Sequence, residues 1–135
     1  MHVRRHLGTP WQWSDTQPLL RDVATALAAF HAAKTVHRDL SAGNVMRVAP
    51  SSYKVIDPGL ARHLSEATLT GAFQPGTPGF MSPEHVIPGA RPTPASDVFC
   101  AGVLGYAALT GKLPVPAVDL AKYQSDLAYA RHEPL

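Results

Sequence analysis

Apolar residues recur at three- and four-residue steps within residues 14–34, and the series consists of Leu20, Val23, Leu27 and Phe30. This spacing places the four side chains on one face of a helix. Ser14 and Gln17 have the spacing of an N-terminal capping box, and Pro18 is compatible with a helix only in its first turn. We therefore predict an amphipathic helix over 14–34 whose apolar stripe packs into a core.

The next segment changes to the pattern of two short strands. Residues 44–49 and 52–57 are rich in apolar and β-branched side chains, and a turn at Pro50-Ser51 separates them. The pattern predicts a β-hairpin. Because both outer ends of a hairpin meet at its open end, we expect Asn44 and Asp57 to lie close together.

Towards the C-terminus the pattern becomes helical again. Residues 94–110 are apolar on most of a helix surface, which is typical of a buried helix. Thr93 is the expected cap, Pro94 suits the first helical position, and Gly111 suits the helix end. A weaker helical pattern covers 117–131, and residues 63–81 predict a loop. The predicted fold class is mainly α with a short β-hairpin (α+β).

Composition narrows the class of protein. The 135 residues are 45% hydrophobic and carry a net charge of only +2, which favours neither nucleic-acid nor membrane binding. The N-terminus lacks the apolar core of a signal peptide, and the longest nearly apolar run, 98–109, is too short to cross a bilayer. Cys100 is the single cysteine, in an apolar stretch that predicts a buried, inert thiol. We expect a cytoplasmic domain with no membrane segment.

Residues 37–44 carry the strongest chemical signal. They match the pattern H-R-D-L-x-x-x-N at all five specified positions. Asp39 is a carboxylate that could accept a proton from a hydroxyl, and Asn44 offers an amide oxygen that suits Mg²⁺. Ordinary turn and strand-end roles are the alternative for each residue taken singly, but five matched positions in one short window rarely coincide.

Three further segments downstream also resemble known sequence motifs. Residues 56–62 resemble a D-F-G segment with proline in its second position, 76–84 resemble an activation-segment end with S-P-E for A-P-E, and 96–102 resemble the start of a buried helix. With the loop at 37–44, these segments make about residues 12–115 similar to eukaryotic-type (Hanks-type) serine/threonine protein kinases.

The resemblance implies a partial protein-kinase domain over residues 1–135. It assigns 37–44 to the catalytic loop, 57–84 to the activation segment and about 94–110 to the buried helix of the large lobe. The first 36 residues contain one glycine, Gly8, and one lysine, Lys34, so they supply neither the glycine-rich loop nor the strand lysine of a small lobe. We expect the small N-terminal lobe to be absent and the C-terminal helices to be truncated, with a missing small lobe or a longer parent chain as the partner.

The resemblance also implies ATP and Mg²⁺ as cofactors and a protein as substrate. Asp39 corresponds to the catalytic base, and Asn44 and Asp57 correspond to the ligands of Mg²⁺. Met46, the second residue after the loop asparagine, corresponds to the residue beneath the adenine ring. A plain core-filling role for Met46 is an equal alternative.

Five further positions correspond to supporting residues of the family. His37 packs beneath the metal-binding turn, and Arg38 pairs with a phosphate on the activation segment. Thr77 contacts the catalytic aspartate in serine/threonine kinases. Glu84 pairs with an arginine of the C-terminal part, which we expect to be missing here. Asp97 accepts backbone hydrogen bonds from the catalytic loop, although a helix N-terminus favours a carboxylate in any case.

Two departures and one regulatory expectation complete the comparison with the family. Ser41 stands where these kinases carry a lysine that steadies the γ-phosphate, and Pro58 replaces phenylalanine and biases Asp57 towards extended conformations. Phosphorylation in the activation segment is expected, if anywhere, at one of three hydroxyl residues, namely Ser65, Thr68 and Thr70.

Three functions remain open. The first is the catalytic half of a protein kinase that transfers the γ-phosphate of ATP to Ser/Thr hydroxyls, with the isolated chain inactive. The second is a pseudokinase or truncated remnant that acts as a binding module. The third is a small-molecule phosphotransferase, which residues 76–84 argue against because they resemble a docking platform for a peptide.

Overall fold

The structure is a computed structural model that describes residues 1–56, 62–63 and 77–129. Helix α1 spans Trp13–Ala32 and buries a stripe that includes Leu19, Val23 and Leu27. The predicted capping box is wrong, because the helix begins before Ser14 and its N-cap, Gln12, makes no side-chain capping bond. Pro18 therefore falls in the second turn, where the carbonyl four residues earlier has no proline N–H to accept.

The predicted hairpin is present. Strands β2 (Val45–Ala49) and β3 (Ser52–Val55) pair in antiparallel register, with an irregularity between Arg47 and Ala49. The N–H of Ile56 donates to the carbonyl of Asn44 at 2.8 Å, which continues the pairing to the open end. Asp57 lies outside the described residues, so its expected proximity to Asn44 stays a prediction.

A second antiparallel pair was not predicted. Strand β1 (Thr35–Val36) pairs with β4 (Arg62–His63), and each strand contains only two residues. Strands this short carry no periodicity that a sequence pattern could show. The pair matters for the site because β1 leads directly into residues 37–44.

Helix α2 spans Pro94–Thr110, the bounds expected from the sequence. The N–H of Thr93 donates to the Ser96 hydroxyl at 2.9 Å, and Gly111 ends the helix at φ 72°. The expectation that α2 is buried nearly all round is wrong within the described residues. Val98 and Phe99 are 61% and 39% exposed, because no described segment covers these two side chains.

Helix α3 is shorter than the predicted segment 117–131. It spans Leu120–Ala128 and begins at Asp119, whose side chain accepts the N–H of Lys122 at 3.1 Å. Tyr123 and Leu127 of α3 pack in a small apolar cluster with Met81 and Val115.

The main core lies where α1, α2 and the hairpin meet. Its buried side chains come from all three, and they include Val23, Leu27, Val45, Tyr53, Cys100 and Leu104. Burial raises the pKa of the Cys100 thiol far above its ordinary value, as expected for an inert core cysteine. The described part of the chain is helix-rich with two small antiparallel sheets, and none of its helices is long and apolar enough to cross a membrane.

Candidate active site

The loop at residues 37–44 connects β1 to β2 and is anchored by hydrogen bonds to α2. Asp97, in the first turn of α2, is fully buried. Its carboxylate accepts the backbone N–H groups of His37 and Arg38, each at 2.9 Å. Arg38 has a left-handed backbone (φ 74°), a conformation that costs energy in a residue with a side chain. The two bonds to Asp97 stabilise this strained turn, and the contact expected for Asp97 is thus present.

Sequence reasoning missed a third group on the Asp97 carboxylate. The ring Nε2 of His31 lies 2.8 Å from Asp97 Oδ2 and connects the end of α1 to the start of α2. A signal for His31 does exist in the sequence, because it follows Leu27 by four residues and so lies on the buried face of α1. A polar residue in line with an apolar stripe implies a buried partner.

Asp39 is held by hydrogen bonds from both sides. The Thr77 hydroxyl donates to Asp39 Oδ1 at 2.6 Å. The amide nitrogen of Asn44 donates to the Asp39 backbone carbonyl at 2.7 Å and to its Oδ2 at 3.2 Å. Because the amide nitrogen of Asn44 is bonded to Asp39, the side-chain oxygen of Asn44 is the atom that this residue can offer to a cation. Three residues that sequence reasoning selected separately therefore form one hydrogen-bonded group.

This group opens onto a groove of about 620 Å³. The groove is bounded by the catalytic-loop segment, by the segment that follows Thr77, by the end of α2 and by the N-terminal residues. Asp39, Asn44 and Thr77 line one part of it, and Arg4 and Lys112 line another. The carboxylate of Asp39 is therefore accessible to a bound molecule, as a proton acceptor in a reaction must be.

His37 supports the loop from within the core. Its side chain is fully buried and packs edge-on against Phe30, with 5.4 Å between the ring centroids. The N–H of Asp39 donates to His37 Nδ1 at 3.2 Å, so the ring also fixes the backbone of the following loop residue. The metal-binding turn beneath which His37 was expected to lie is outside the described residues.

A second histidine, His85, was also missed. It is fully buried, and its Nε2 lies 2.8 Å from the Arg38 carbonyl. Because a carbonyl only accepts, Nε2 is the donor, and Nδ1 accepts the backbone N–H of Ser82 at 3.1 Å. His85 therefore connects the segment at residues 82–85 directly to the strained residue before Asp39. The single sequence contains no periodic signal that distinguishes this histidine.

Glu84 is bonded to hydroxyl groups in the described part of the chain. Its Oε2 accepts the Ser96 hydroxyl at 3.0 Å. Burial raises the pKa of Glu84, whereas hydrogen bonds from Ser82, its own backbone and Ser96 lower it. The net effect is a pKa below the ordinary value. The expectation that Glu84 lacks the arginine partner found in the family stays a prediction.

Several site residues predicted from the sequence take no part in these contacts. Met46 is half-buried on β2, opposite Lys54 and bridged to His2 of the N-terminal segment. Its expected place beneath an adenine ring stays a prediction. Ser41 is buried, at 3% exposure. The remaining predicted positions lie outside the described residues, and they are Asp57, Pro58, Ser65, Thr68 and Thr70. The expected pairing of Arg38 with a phosphate also concerns that undescribed segment.

Asp39 is thus a carboxylate bonded by a threonine and an asparagine, on a loop that helix α2 anchors through Asp97. The chain belongs to the protein kinase domain family, whose model matches residues 4–132. It is 40% identical over 110 residues to serine/threonine-protein kinase PknK of Mycobacterium tuberculosis, covering 81% of this chain and 10% of that protein.

Two other relatives show the same partial coverage. Serine/threonine-protein kinase PknA of Mycobacterium tuberculosis is 39% identical over 98 residues, 71% of this chain and 22% of its own length. The protein named serine/threonine-protein kinases drp72 of Corynebacterium efficiens is 36% identical over 97 residues, 71% of this chain and 18% of its own length. The chain thus spans less than a quarter of each of these relatives.

Proposed function

We propose that residues 1–135 form the large-lobe part of a serine/threonine protein kinase domain, which transfers the γ-phosphate of ATP to protein Ser/Thr hydroxyls. The observation that carries the proposal is the hydrogen-bonded group of Asp39, Asn44 and Thr77 at the edge of an open groove. Membership of the protein kinase family and the named serine/threonine kinase relatives support it.

In this proposal Asp39 accepts the proton of the attacking hydroxyl. The Thr77 bond to Oδ1 and the Asn44 bond to Oδ2 hold the carboxylate in one orientation. Positioning of this kind supplies much of the catalysis in phosphoryl transfer. Asp97 and His85 act indirectly, because they fix the backbone of residues 37 and 38 that precedes the base.

Asn44 and Asp57 are the proposed ligands of Mg²⁺, and Met46 is the proposed floor of the adenine site. The donor set fits a hard cation, because the Asn44 amide directs its nitrogen at Asp39 and keeps its oxygen for another partner. When bound, Mg²⁺ neutralises charge on the nucleotide phosphates. In the described residues no three His, Cys, Asp or Glu side chains group as a separate metal site.

A binding module without catalysis is the second candidate function. Ser41 favours it, because a buried serine stands where the family carries a lysine that steadies the γ-phosphate. A neutral hydroxyl provides no charge to offset that of the phosphate. The two functions differ in one measurable property, which is transfer that depends on Asp39.

The test uses the chain alone and the chain fused behind the small lobe of a related kinase. We expect no transfer of labelled phosphate to a Ser/Thr peptide by the chain alone, because its 135 residues contain no glycine-rich phosphate loop. The fusion should transfer phosphate in the presence of Mg²⁺, and Asp39→Asn should abolish the activity. Asp15→Asn, on the exposed start of α1, is the matched control.

Two results would contradict the kinase proposal. One is a folded fusion that binds Mg·ATP without transferring phosphate, which would favour the binding module. The other is transfer that Asp39→Asn leaves unchanged. The Mg²⁺ assignment has its own test, since Asp57→Ala should remove Mg²⁺-dependent nucleotide binding.

We also propose that regulation by phosphorylation, where it occurs, uses one of the three activation-segment hydroxyls named above, Ser65, Thr68 and Thr70. In this proposal the added charge orders that segment by pairing with a cation such as Arg38. Mass spectrometry of the fusion after incubation with Mg·ATP should locate phosphate at one of them. An active fusion with none of the three modified would rule the idea out.

A further inference from the structure

The groove beside Asp39 continues into a second cavity of about 470 Å³. Arg4 and Gly43 line both cavities, so the two form one concave face that runs past the catalytic loop. The second cavity adds His2 and Arg5 to the lining. We refer to the two cavities together as the basic face.

The charges on the basic face are unequal. Arg4, Arg5 and Lys112 are permanent cations, and all three are exposed. Asp39 is the one acidic residue among the described residues that line either cavity. Ser41 and Gly43, which belong to the loop at residues 37–44 and line the groove, carry no charge. Among the lining residues that the structure describes, the basic face therefore carries three positive charges against one carboxylate, which accepts hydrogen bonds from Thr77 and Asn44.

The two segments that carry these cations, the N-terminal residues and the end of α2, pack against each other. The N–H of Trp11, beyond the N-terminal cations, donates to the carbonyl of Ala108 in α2 at 2.8 Å. Gly111, which ends α2 before Lys112, lies so close to Gly8 that an added Cβ would be 3.1 Å from the Gly8 backbone. Arg4 and Lys112 consequently belong to two packed segments on either side of a built groove.

We propose that the basic face selects substrates whose phosphorylated Ser or Thr is flanked by Asp or Glu. The inference rests on the proposed function, because an acceptor hydroxyl at Asp39 places its neighbouring residues along the walls that carry Arg4 and Lys112. Carboxylates there meet complementary charge, whereas lysine or arginine side chains meet like charge. Complementary charge of this kind determines specificity and association rate.

The test measures binding of fluorescent peptides to the 135-residue chain by anisotropy. Three peptides share one central serine and differ only in flanking Glu, Gln or Lys residues. We expect the Glu peptide to bind at least about tenfold more tightly than the Lys peptide at low salt, with the preference shrinking at high salt. Equal affinities, a preference for lysine, or no binding by any peptide would overturn the inference.

Charge reversal tests the named residues. Arg4→Glu and Lys112→Glu should each weaken binding of the Glu peptide by about fivefold or more and strengthen binding of the Lys peptide. Arg91→Glu, an exposed cation outside both cavities, should change neither affinity and is the matched control. Loss of binding in the control as well would show that only net charge matters, and the assignment to this face would fail.

A nucleotide is the competing anionic occupant. Free ATP without Mg²⁺ should leave the Glu peptide bound, and displacement at equal concentration would assign the cations to phosphates instead. Binding is measured without catalysis, so its outcome is separate from that of the proposed function. A chain that prefers the Glu peptide but shows no Asp39-dependent transfer as a fusion would retain the acidic specificity and lose the kinase assignment.

Discussion

Asp97 offers a direct test of how the loop at residues 37–44 is held in place. Its buried carboxylate accepts N–H groups of His37 and Arg38 and contacts His31, with all three distances between 2.8 and 2.9 Å. Asp97→Asn keeps the shape but replaces one acceptor oxygen with an NH₂ group. Whichever way the amide turns, a donor then faces one of the two backbone N–H groups.

The magnitude follows from those contacts. A buried donor left without an acceptor costs about 1–3 kcal/mol, and bonds to a neutral oxygen are weaker than bonds to a carboxylate by roughly 1 kcal/mol. We expect Asp97→Asn to lower the free energy of unfolding by about 2–4 kcal/mol, a large part of the total stability of a small domain. The left-handed backbone of Arg38 should relax when its bond is lost.

Urea unfolding followed by tryptophan fluorescence measures this change. The matched control is Asp15→Asn, which alters an exposed carboxylate in the first turn of α1 and should cost less than about 1 kcal/mol. A variant that is unfolded without urea also agrees with the expected loss. A loss for Asp97→Asn no larger than that of the control would refute the reasoning.

Three other experiments test separate parts of the structure. Gly79→Ala should lower stability by about 1–3 kcal/mol, because its φ is 96° and the new Cβ would lie 2.7 Å from Leu113. Gly89 has φ 81° and open surroundings, so Gly89→Ala should show only the cost of the backbone conformation in the same urea unfolding experiment. An equal loss of stability for the two variants would contradict a contribution from the contact with Leu113. Glu84→Gln should be less stable than the parent at neutral pH. Because folding lowers the pKa of Glu84, its carboxylate contributes fully to the free energy of unfolding above pH 4.5. This contribution should disappear as the pH falls through the lowered pKa of the folded state. A stability difference between Glu84→Gln and the parent that persists in acid would contradict this reasoning. Cys100 should resist iodoacetamide in the folded chain and react in urea, and rapid native labelling would contradict its burial.

The sequence alone determined those helices and strands whose ends depend on single residues with strong conformational preferences. Pro94 and Gly111 set the bounds of α2, because proline suits a first helical position and glycine takes the left-handed conformation at the end. Apolar and β-branched content and the Pro50-Ser51 turn likewise predicted the hairpin. The capping box at Ser14 failed because such four-residue signals are common and the neighbouring sequence can extend a helix past them.

The contact between Asp39 and Asn44 was predictable for a different reason. The spacing of 37–44 is a chemical pattern in which Asp39 and Asn44 are five residues apart, so a tight loop brings them into contact. Thr77 is far along the chain from Asp39, and its selection depended on the family resemblance. The bond of 2.6 Å between Thr77 and Asp39 is a product of the fold.

The tertiary structure alone decided the supports of the loop. His31 meets Asp97 across 66 residues of chain, and His85 meets the Arg38 carbonyl across 47 residues. The two-residue pairing of β1 with β4 and the basic face around Arg4 arise in the same way. A sequence pattern reports the preferences of neighbouring residues, whereas these contacts exist only after burial has brought distant segments together and left their polar groups in need of partners.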